Sequence, residues 1–329
     1  MQTILVIGSN SFTGSNFCNF ALENKFRVIG ISRSDEIDSV FLKYKTNKRL
    51  SNFSFLKLDI DSQQNRLFDV FDEYQPEYVV NFAAQGMVEE SWSNPSQWYQ
   101  TNFVSLSNIV NYLKDKQYLK KFLNASTPEI YGNVSGKLNE DLPSLPSTPY
   151  ALSKAAFDMH LKIYKDRFDF PYSLTRSANV FGPGQQIYRI IPKVIMHILL
   201  KKKIPLHGGG IVKRSFIHID DVVEATYKAM KSKETGDIYH VSTEEMISIQ
   251  DLVLKICTIM DYNINDLVES SNYRSKQDLL YELDSNKAKK VLNWSPKIEL
   301  ESGILTVVDW TVKNFSKLSR FPTKYIHKS

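Results

Sequence analysis

The stretch Thr3-Ile-Leu-Val-Ile-Gly8-Ser-Asn-Ser-Phe-Thr-Gly14 decides the fold. Its apolar opening predicts a short buried strand, and the pattern over residues 13–24 predicts a helix. Glycines let the backbone approach a pyrophosphate, which binds at the amino end of such a helix. A plain tight turn is the alternative, but a strand before it and a helix after it favour a dinucleotide site. The residues expected to contact the dinucleotide here are Gly8, Ser11, Phe12, Thr13 and Gly14.

The alternation continues along the first half of the chain. It predicts an α/β fold, a doubly wound parallel sheet with helices on both faces. Further strands are predicted at 27–31, 53–58, 78–82, 121–125 and 172–175, and helices at 62–74, 96–115 and 149–168. Residues 1–178 would form the dinucleotide-binding Rossmann domain, with 213–240 returning to it. Residues 179–329 would form mainly a smaller substrate-binding lobe over the carboxyl ends of the strands.

Composition excludes several classes of protein. The 329 residues are 42% hydrophobic and carry a net charge of +5, which suits an anionic small substrate better than nucleic acid. The two cysteines and six histidines are dispersed, so no metal site is predicted. No apolar run approaches the roughly 18 residues of a membrane span. The chain opens on a predicted strand, so we expect no signal peptide and a cytoplasmic location.

The ends of the second, third and fourth strands give the expected cofactor contacts. An acidic residue after the second strand would hold the ribose of NAD, but Arg33 stands there and suits the 2′-phosphate of NADP. NAD remains the alternative if Arg33 is only a solvated charge. Asp59 and Ile60 follow the third strand and could border the adenine, although Asp59 could equally cap a turn. Ala83 is small enough for the chain to pass beneath a cofactor.

The pair Tyr150 and Lys154 carries the predicted chemistry. Positions i and i+4 of a helix share a face, so the Lys154 ammonium would lie near the Tyr150 ring. A cation there, together with a positive nicotinamide, would lower the pKa of a phenol that is otherwise a poor base. Thr127 and Glu129 follow the fifth strand on the same edge. Glu129 could be a surface carboxylate, but its position beside a nicotinamide favours a base.

These residues and four longer runs give the chain a resemblance to the extended short-chain dehydrogenase/reductase family, specifically its nucleotide-sugar 4,6-dehydratases. The resemblance covers nearly the whole length. The runs are Asn81-Phe-Ala-Ala-Gln85, Ser126-Thr-Pro-Glu-Ile-Tyr-Gly132, Asn179-Val-Phe-Gly-Pro183 and Arg214-Ser-Phe-Ile-His-Ile-Asp-Asp221. Gly30-Ile-Ser-Arg33 and the region 273–296 look most like the GDP-mannose 4,6-dehydratases, which agrees with NADP.

The resemblance implies a role for each matching residue. Tyr150 would take the C4 hydroxyl proton, Lys154 would lower its pKa and hold the nicotinamide ribose, and Thr127 would bind the C4 oxygen. Glu129 would remove the C5 proton, after which the C6 hydroxyl leaves and the stored hydride returns to C6. The residues implied to contact the nucleotide-diphosphate sugar are Gln85, Asn179, Arg214 and Arg274. A homodimer or dimer of dimers, joined by the helices at 96–115 and 149–168, and a place in deoxysugar synthesis for surface glycans are also implied.

Three departures from the family pattern bear on this reading. Ser11 replaces the middle glycine of the phosphate turn, and Pro128 stands where the dTDP-glucose branch carries an aspartate that protonates the leaving hydroxyl. The GDP-mannose branch also lacks that aspartate, so Glu129 or a water would supply the proton. Gly86-Met87 replace the usual Ser-His, which predicts room for a bulkier sugar such as a 2-acetamido sugar.

Other functions stay open from the sequence. A nucleotide-sugar 4-epimerase needs Tyr150 and Lys154 but has no use for Glu129. A nucleotide-uronic-acid decarboxylase can share the Thr-x-Glu arrangement but needs a cation facing C6. A dinucleotide-binding regulator would not need the complete set of reactive groups.

Overall fold

A parallel sheet of seven strands forms the centre of the molecule. A computed structural model describes residues 1–269 and 281–327. The strands in chain order are β1 Thr3–Ile7, β2 Arg27–Ser32, β3 Phe53–Lys57, β4 Tyr78–Asn81, β5 Lys121–Ala125, β6 Gly136–Leu138, β7 Tyr172–Ser177, β8 Asn179–Phe181, β9 Ile204–Pro205, β10 Lys213–His218, β11 Asp237–Val241, β12 Met246–Ser248, β13 Val268–Glu269 and β14 Tyr281–Leu283.

Helices cover both faces of this sheet and build the second part of the chain. In chain order they are α1 Phe12–Glu23, α2 Gln64–Tyr74, α3 Pro95–Tyr99, α4 Leu106–Leu113, α5 Pro149–Phe168, α6 Ile190–Leu199, α7 Ile219–Lys231, α8 Ile249–Ile259, α9 Ile264–Leu267, α10 Asn286–Leu292, α11 Leu300–Lys313 and α12 Phe315–Leu318. Within the described ranges, no helix combines the length and the apolar content that crossing a bilayer requires.

The strand order places one crevice at a defined point of the sheet. The order is β11-β7-β5-β4-β1-β2-β3, and every pair in it is parallel. The chain winds outwards from β1 in one direction through β2 and β3, and in the other through β4 and β5. Ligands of such sheets bind beyond the carboxyl ends of the strands at this reversal. The doubly wound α/β fold predicted from the sequence is confirmed.

Two apolar cores lie on opposite faces of the sheet because neighbouring strand residues point to opposite sides. In β1, Ile4 and Val6 pack into the cluster with α1 and α7, whereas Leu5 and Ile7 pack into the cluster with α2, α4 and α5. All four side chains are buried. Burying such a side chain contributes about 1.5–3 kcal/mol, so this continuous apolar run specifies a central strand.

The second part of the chain is divided between the sheet and a separate layer. β11 pairs with β7 at the edge of the main sheet, while β8, β10 and β12 form a small mixed sheet beside a core with α6, α8 and α11. Of the residues predicted to return to the first domain, 213–240, α7 packs against the main sheet and β11 joins its edge, whereas β10 belongs to the small sheet. A division of the chain at residue 178 stays a prediction.

The helix expected over 96–115 is present as one continuous helical run from Pro95 to Leu113. Its two α-helical parts, α3 and α4, are joined by a π-helical turn at Gln100–Ser105. The wider turn brings the hydroxyls of Thr101 and Ser105 onto the Asp61 carboxylate, 2.6 and 2.7 Å away. It also turns Asn102 inwards, where its amide bridges Gln85 and the Ser153 hydroxyl on α5. The single helix predicted from the sequence is therefore confirmed, but its π-helical turn depends on side-chain hydrogen bonds that an apolar periodicity does not show.

The turn from β1 to α1 depends on close backbone contacts. Gly8 has φ +86°, and a Cβ built there would lie 2.6 Å from the Ala83 nitrogen. Gly14 packs the start of α1 against the strand, because a Cβ built on it would lie 2.1 Å from the Gly8 carbonyl oxygen. Ser11 needs no glycine conformation, since its φ is −72°. Its hydroxyl accepts from the Gly14 nitrogen at 3.0 Å and caps the helix.

We predict that Gly14→Ala lowers the free energy of unfolding by about 1–3 kcal/mol, because the added methyl group meets backbone that cannot move without opening the turn. Urea unfolding followed by circular dichroism measures the change. Gly86→Ala is the matched control, since a Cβ there meets nothing within 4 Å. Equal stability of both variants and the parent protein would contradict this packing role for Gly14.

Candidate active site

One long cleft of about 1030 Å³ runs across the carboxyl ends of the sheet strands. Its floor is made by Gly8 and by Ala83, which follow β1 and β4. The backbone nitrogens of Phe82 and Ala83 both donate to the Ile7 carbonyl, at 2.8 and 3.1 Å. These bonds hold the ends of β1 and β4 close together. An elongated ligand can therefore lie over them, at the point where the strand order reverses.

The end of the cleft beside α1 has the features of a dinucleotide site. Gly8, Ser11, Phe12 and Thr13 line it, together with the exposed Arg33 after β2. The Asn10 backbone nitrogen donates to the Ser32 hydroxyl at 3.0 Å, and the Asn10 amide donates to the Ser34 and Asp35 carbonyls. These bonds hold the loop after β2 against the phosphate turn, so Arg33 is presented at the cleft. Gly14 lies behind the turn and supports it.

Asp59 and Ile60 also line this end, beyond β3. The Asp59 carboxylate accepts from the Asp61 nitrogen at 3.0 Å and from the Ser62 hydroxyl at 3.2 Å. It therefore caps the turn that precedes α2, which was the alternative reading of this residue. The buried Ile60 gives this side of the cleft an apolar surface suited to a base.

The four candidate reactive residues all line the middle of the same cleft. Thr127 and Glu129 stand on a short 3₁₀ turn, Pro128–Tyr131, directly after β5, and the Thr127 hydroxyl accepts from the Glu129 nitrogen at 3.2 Å. Tyr150 and Lys154 lie on the first turns of α5. That helix begins where sequence predicts it, because Thr148 caps its amino end and Pro149 occupies the first position.

The protein environment of Tyr150 keeps the phenol protonated. Burial raises its pKa most; a hydrogen bond with Thr127 lowers it, and the negative charge of Glu129 raises it again. The cation of Arg189 acts in the lowering direction. Thr127, Glu129 and Tyr150 are thus close enough to influence one another. The chain's own groups leave the pKa of Tyr150 above its ordinary value, and the expected lowering by Lys154 together with a positive nicotinamide stays a prediction.

Lys154 is a buried ammonium group. Its Nζ donates to the Ala125 carbonyl at the end of β5, 2.7 Å away, and the residue is 2% exposed. Burial lowers its pKa to about 8, against the pull of the Asp158 carboxylate, which raises it. Asp158 Oδ2 itself accepts from Ser126 Oγ at 2.5 Å and from Arg176 Nη2 at 3.1 Å. This buried network holds β5, α5 and β7 together directly behind the reactive groups.

The predicted substrate residues do not all reach the cleft. Gln85 and Asn179 line it, and the Asn179 amide also donates to the Ser215 carbonyl at 3.1 Å. Arg214 is not among the described residues that line the cleft. It is half-buried on β10, and its guanidinium donates to the Lys213 carbonyl at 3.0 Å. Arg274 lies outside the described residues.

The structure adds cleft residues that sequence reasoning missed. Tyr188 and Arg189, which precede α6, line the cleft, and so do Tyr325 and Ile326. Asp158 could have been found, because it stands one helical turn after Lys154. The sequence around Tyr325 carries no comparable signal.

This arrangement suits redox chemistry on a hydroxyl group. A nicotinamide dinucleotide fits the cleft residues, because the glycine turn between β1 and α1 lines the cleft at the amino end of a helix, where backbone N–H groups can bind phosphate. Gly8, Ser11, Phe12, Thr13 and Arg33 would hold its phosphates and ribose, and Lys154 its second ribose. A phenol, a hydroxyl and a carboxylate then face the place where a substrate carbon would be oxidised.

Comparisons with known proteins agree with this geometry. A sequence profile of the family GDP-mannose 4,6 dehydratase matches residues 5–307. The chain is 30% identical over 324 residues to the dTDP-D-glucose 4,6-dehydratase of Mus musculus, covering 95% of this chain and 90% of that protein. It is 27% identical to the dTDP-glucose 4,6-dehydratase of Haemophilus influenzae, with 96% and 99% covered.

Two solved structures extend the likeness to three dimensions. The dTDP-glucose 4,6-dehydratase of Bacillus anthracis in complex with NAD superposes with a TM-score of 0.85 at 28% identity, covering 96% of this chain and 98% of that one. The UDP-glucose 4-epimerase of Thermotoga maritima with UDP-glucose also gives 0.85, at 25% identity and with 95% and 100% covered. The fold is therefore shared by two reaction types.

We predict that Lys154→Met changes how stability depends on pH. The folded protein loses the Lys154 proton near pH 8, whereas the unfolded chain keeps it to higher pH, so the parent protein gains stability between these values. Its free energy of unfolding should rise relative to Lys154→Met by about 2 kcal/mol between about pH 7 and about pH 9.5. Urea unfolding of nucleotide-stripped protein measures this. Lys162→Met, an exposed change on α5, is the control. Parallel pH curves for all three proteins would contradict the burial of a charged Lys154.

Proposed function

This chain belongs to the GDP-mannose 4,6-dehydratase family, within the short-chain dehydrogenase/reductases, and we propose that it converts a GDP-hexose to its 4-keto-6-deoxy form with NADP. Nucleotide-sugar 4,6-dehydratase activity with a nicotinamide cofactor is the general function. The GDP nucleotide, the NADP preference and the roles of individual residues are the proposal. The observation that carries it is the meeting of Glu129 and Tyr150 in one cleft.

In this mechanism Tyr150 accepts the C4 hydroxyl proton. The protein alone raises the pKa of the phenol, so the reaction depends on extra positive charge. A nicotinamide held by the phosphate turn and Lys154 would supply that charge and would serve as hydride acceptor and donor for the sugar. Lys154 would hold the nicotinamide ribose and add positive charge to the site. Thr127, whose hydroxyl lowers the pKa of Tyr150 in the free protein, would donate to the C4 oxygen once the substrate is bound. The timing of proton removal is thereby tied to cofactor binding.

Glu129 removes the C5 proton once C4 is a ketone, because the carbonyl makes that proton acidic. It stands two residues after Thr127 on the same turn, so both groups address neighbouring carbons of one sugar ring. The residue between them is Pro128, which has no proton to give to the departing C6 hydroxyl. We assign that proton to Glu129 or to a water held by it.

Arg33 supports NADP as the cofactor. Arg33 follows β2 and lines the cleft, where its guanidinium would pair with the doubly charged 2′-phosphate of NADP. The Bacillus anthracis relative holds NAD, so NAD is the alternative for this chain.

The region around Gly86 supports a sugar with an added group. A Cβ built on Gly86 meets nothing within 4 Å, and Gly86 and Met87 both line the cleft. Space at this point would accept a 2-acetamido substituent, which a larger residue would exclude.

A 4-epimerase is the second candidate, favoured by the structural likeness to the Thermotoga maritima epimerase. That reaction returns the hydride to C4 on the opposite face and leaves C5 and C6 unchanged. The exposed carboxylate of Glu129 at the cleft would then have no part in the chemistry. A uronic-acid decarboxylase remains the third reading. Cytoplasmic location and a role in surface-glycan synthesis stay predictions.

We predict that the protein removes water from a nucleotide hexose and that Glu129→Gln stalls after oxidation. The panel is GDP-mannose, GDP-N-acetylglucosamine, dTDP-glucose and UDP-N-acetylglucosamine, each with NADP or NAD, and product masses are the readout. Loss of one water identifies the dehydratase, an unchanged mass with inverted C4 the epimerase, and loss of carbon dioxide the decarboxylase. The variant should slow product formation at least about 100-fold while reduced nicotinamide accumulates.

The variant Glu89→Gln is the control for this experiment, because Glu89 is exposed and absent from the cleft-lining residues among those described. It should leave product formation unchanged. Normal turnover by Glu129→Gln would remove Glu129 as the base. Best turnover of an unsubstituted hexose would count against extra space at Gly86.

We also propose that two copies pair through α5. Leu152, Met159 and Ile163 are 47%, 52% and 62% exposed and lie on one face of the helix, at spacings of seven and four residues. An apolar stripe of this kind is typical of a protein–protein contact rather than of a solvated surface. A symmetric pair would bury the stripe of each copy against that of the other.

The double variant Met159→Glu and Ile163→Glu should therefore be monomeric in light scattering after gel filtration, whereas the parent protein should have twice its mass or a higher even multiple. The double variant places two glutamates on each side of the contact. Pairing of the two copies would then bury like charges against one another, away from water. Leu305→Glu, on the exposed face of α11, makes the same kind of change elsewhere and should keep the parent mass. A monomeric parent protein, or an unaltered double variant, would reject this interface.

A further inference from the structure

The last described residues of the chain cross the mouth of the cleft. Residues 321–327, here termed the strap, begin where the Phe321 ring packs edge-on against Phe41, with centroids 5.0 Å apart. They end where the His327 ring stacks on Trp98 at 5.3 Å and its Nε2 lies 3.0 Å from the Gln97 oxygen. The strap is thus attached on both sides, to the segment after β2 and to α3.

The attachments allow the strap to move. The Phe321 nitrogen donates to the Leu318 carbonyl, but no backbone–backbone hydrogen bond joins residues 322–327 to any other described residue. Side-chain contacts alone hold this segment, which at full extension spans roughly 20 Å. Segments without a hydrogen-bonded ladder open at low free-energy cost, so the strap can lift to admit a ligand and close again.

Tyr325 is the residue that the strap presents to the cleft. It lines the cavity, and its ring packs at 70° against Tyr188 on the opposite wall, with centroids 5.3 Å apart. Its hydroxyl lies 3.3 Å from His327 Nδ1. Burial raises the pKa of this phenol, the cations Arg33 and Arg189 act to lower it, and the carboxylate of Glu90 raises it.

The neighbourhood of the Tyr325 hydroxyl suits an anion. Arg33 belongs to the cofactor end and Arg189 to the substrate end, and both line the cleft. Two guanidinium groups and a phenolic donor around one space are the groups that bind phosphate oxygens in proteins. A protonated phenol is uncharged and has one O–H to donate, so it could bind a phosphate oxygen alongside the arginines.

We propose that residues 321–327 close over a bound nucleotide and that Tyr325 donates a hydrogen bond to one of its phosphate groups. The phosphate belongs either to the dinucleotide or to the nucleoside diphosphate of the substrate. The strap proposal deepens the proposed function. It rests on that function only for the identity of the two ligands, the dinucleotide and the nucleotide sugar. Closing of the strap would retain the cofactor between turnovers and shield the reacting sugar from water.

The test measures binding, separately from turnover. Titration calorimetry on nucleotide-stripped protein uses NADP in one arm and GDP in the other. Tyr325→Phe should weaken the ligand whose phosphate it contacts by about tenfold, and the other ligand by less than about twofold. His327→Ala, which loosens the strap without lining the cleft, should speed the dissociation of the same ligand in stopped-flow measurements. Thr323→Ala, a change within the strap away from the cavity, is the control and should bind both ligands normally.

Trypsin gives an independent measure of closure, because Lys324 is exposed within the strap. Cleavage after Lys324 should slow when the contacted ligand is saturating and should be faster in His327→Ala. Normal affinity of Tyr325→Phe in both arms, together with cleavage that no ligand slows, would overturn the strap proposal while leaving the proposed function intact. A parent protein that binds neither ligand would overturn both.

Discussion

The hydrogen bond from the buried Lys154 ammonium to the Ala125 carbonyl is the interaction on which the site depends. It joins the first turns of α5 to the end of β5, which places Tyr150 beside Thr127 and Glu129. A buried cation is costly unless it is paired, and here Asp158 supplies the opposite charge one turn away. Asp158 is held in turn by Ser126 and Arg176, so the site is positioned by a network that reaches into the neighbouring strands.

The same arrangement buries ionisable groups at a cost in stability, and that burial sets their reactivity. Burial disfavours the charged form of both Lys154 and Tyr150, and Glu129 adds a negative charge where a phenolate would form. The protein alone therefore holds a protonated phenol. In the proposed mechanism Tyr150 becomes a base only when a cationic ring is bound, so it would not deprotonate a sugar before the cofactor is in place. We regard this dependence as the physical reason for the composition of the site.

Much of this architecture can be predicted from the sequence, because it follows from interactions between residues close together in the chain. The apolar run of β1, the glycine turn, the capped start of α5 and the i, i+4 spacing of Tyr150 and Lys154 each specify local geometry directly. Contacts between segments far apart in the sequence cannot be predicted in this way. Arg189 and Tyr325, which the sequence did not single out, line the cleft through the packing of a helix start and of the segment 321–327. A substrate contact for Arg214 stays a prediction. The π-helical turn between α3 and α4 likewise carries side-chain bonds to Asp61, about 40 residues away in the sequence.

The central claim is that a phenol and a carboxylate act on adjacent carbons of one sugar ring. Turnover of the best nucleotide-hexose substrate in deuterium oxide, with the product examined by nuclear magnetic resonance, tests it most directly. Because Glu129 exchanges its proton with solvent while the hydrogen from C4 never leaves the cleft, the product should carry deuterium at C5 and none at C6. A product with protium retained at C5, or with deuterium at C6, would contradict the account.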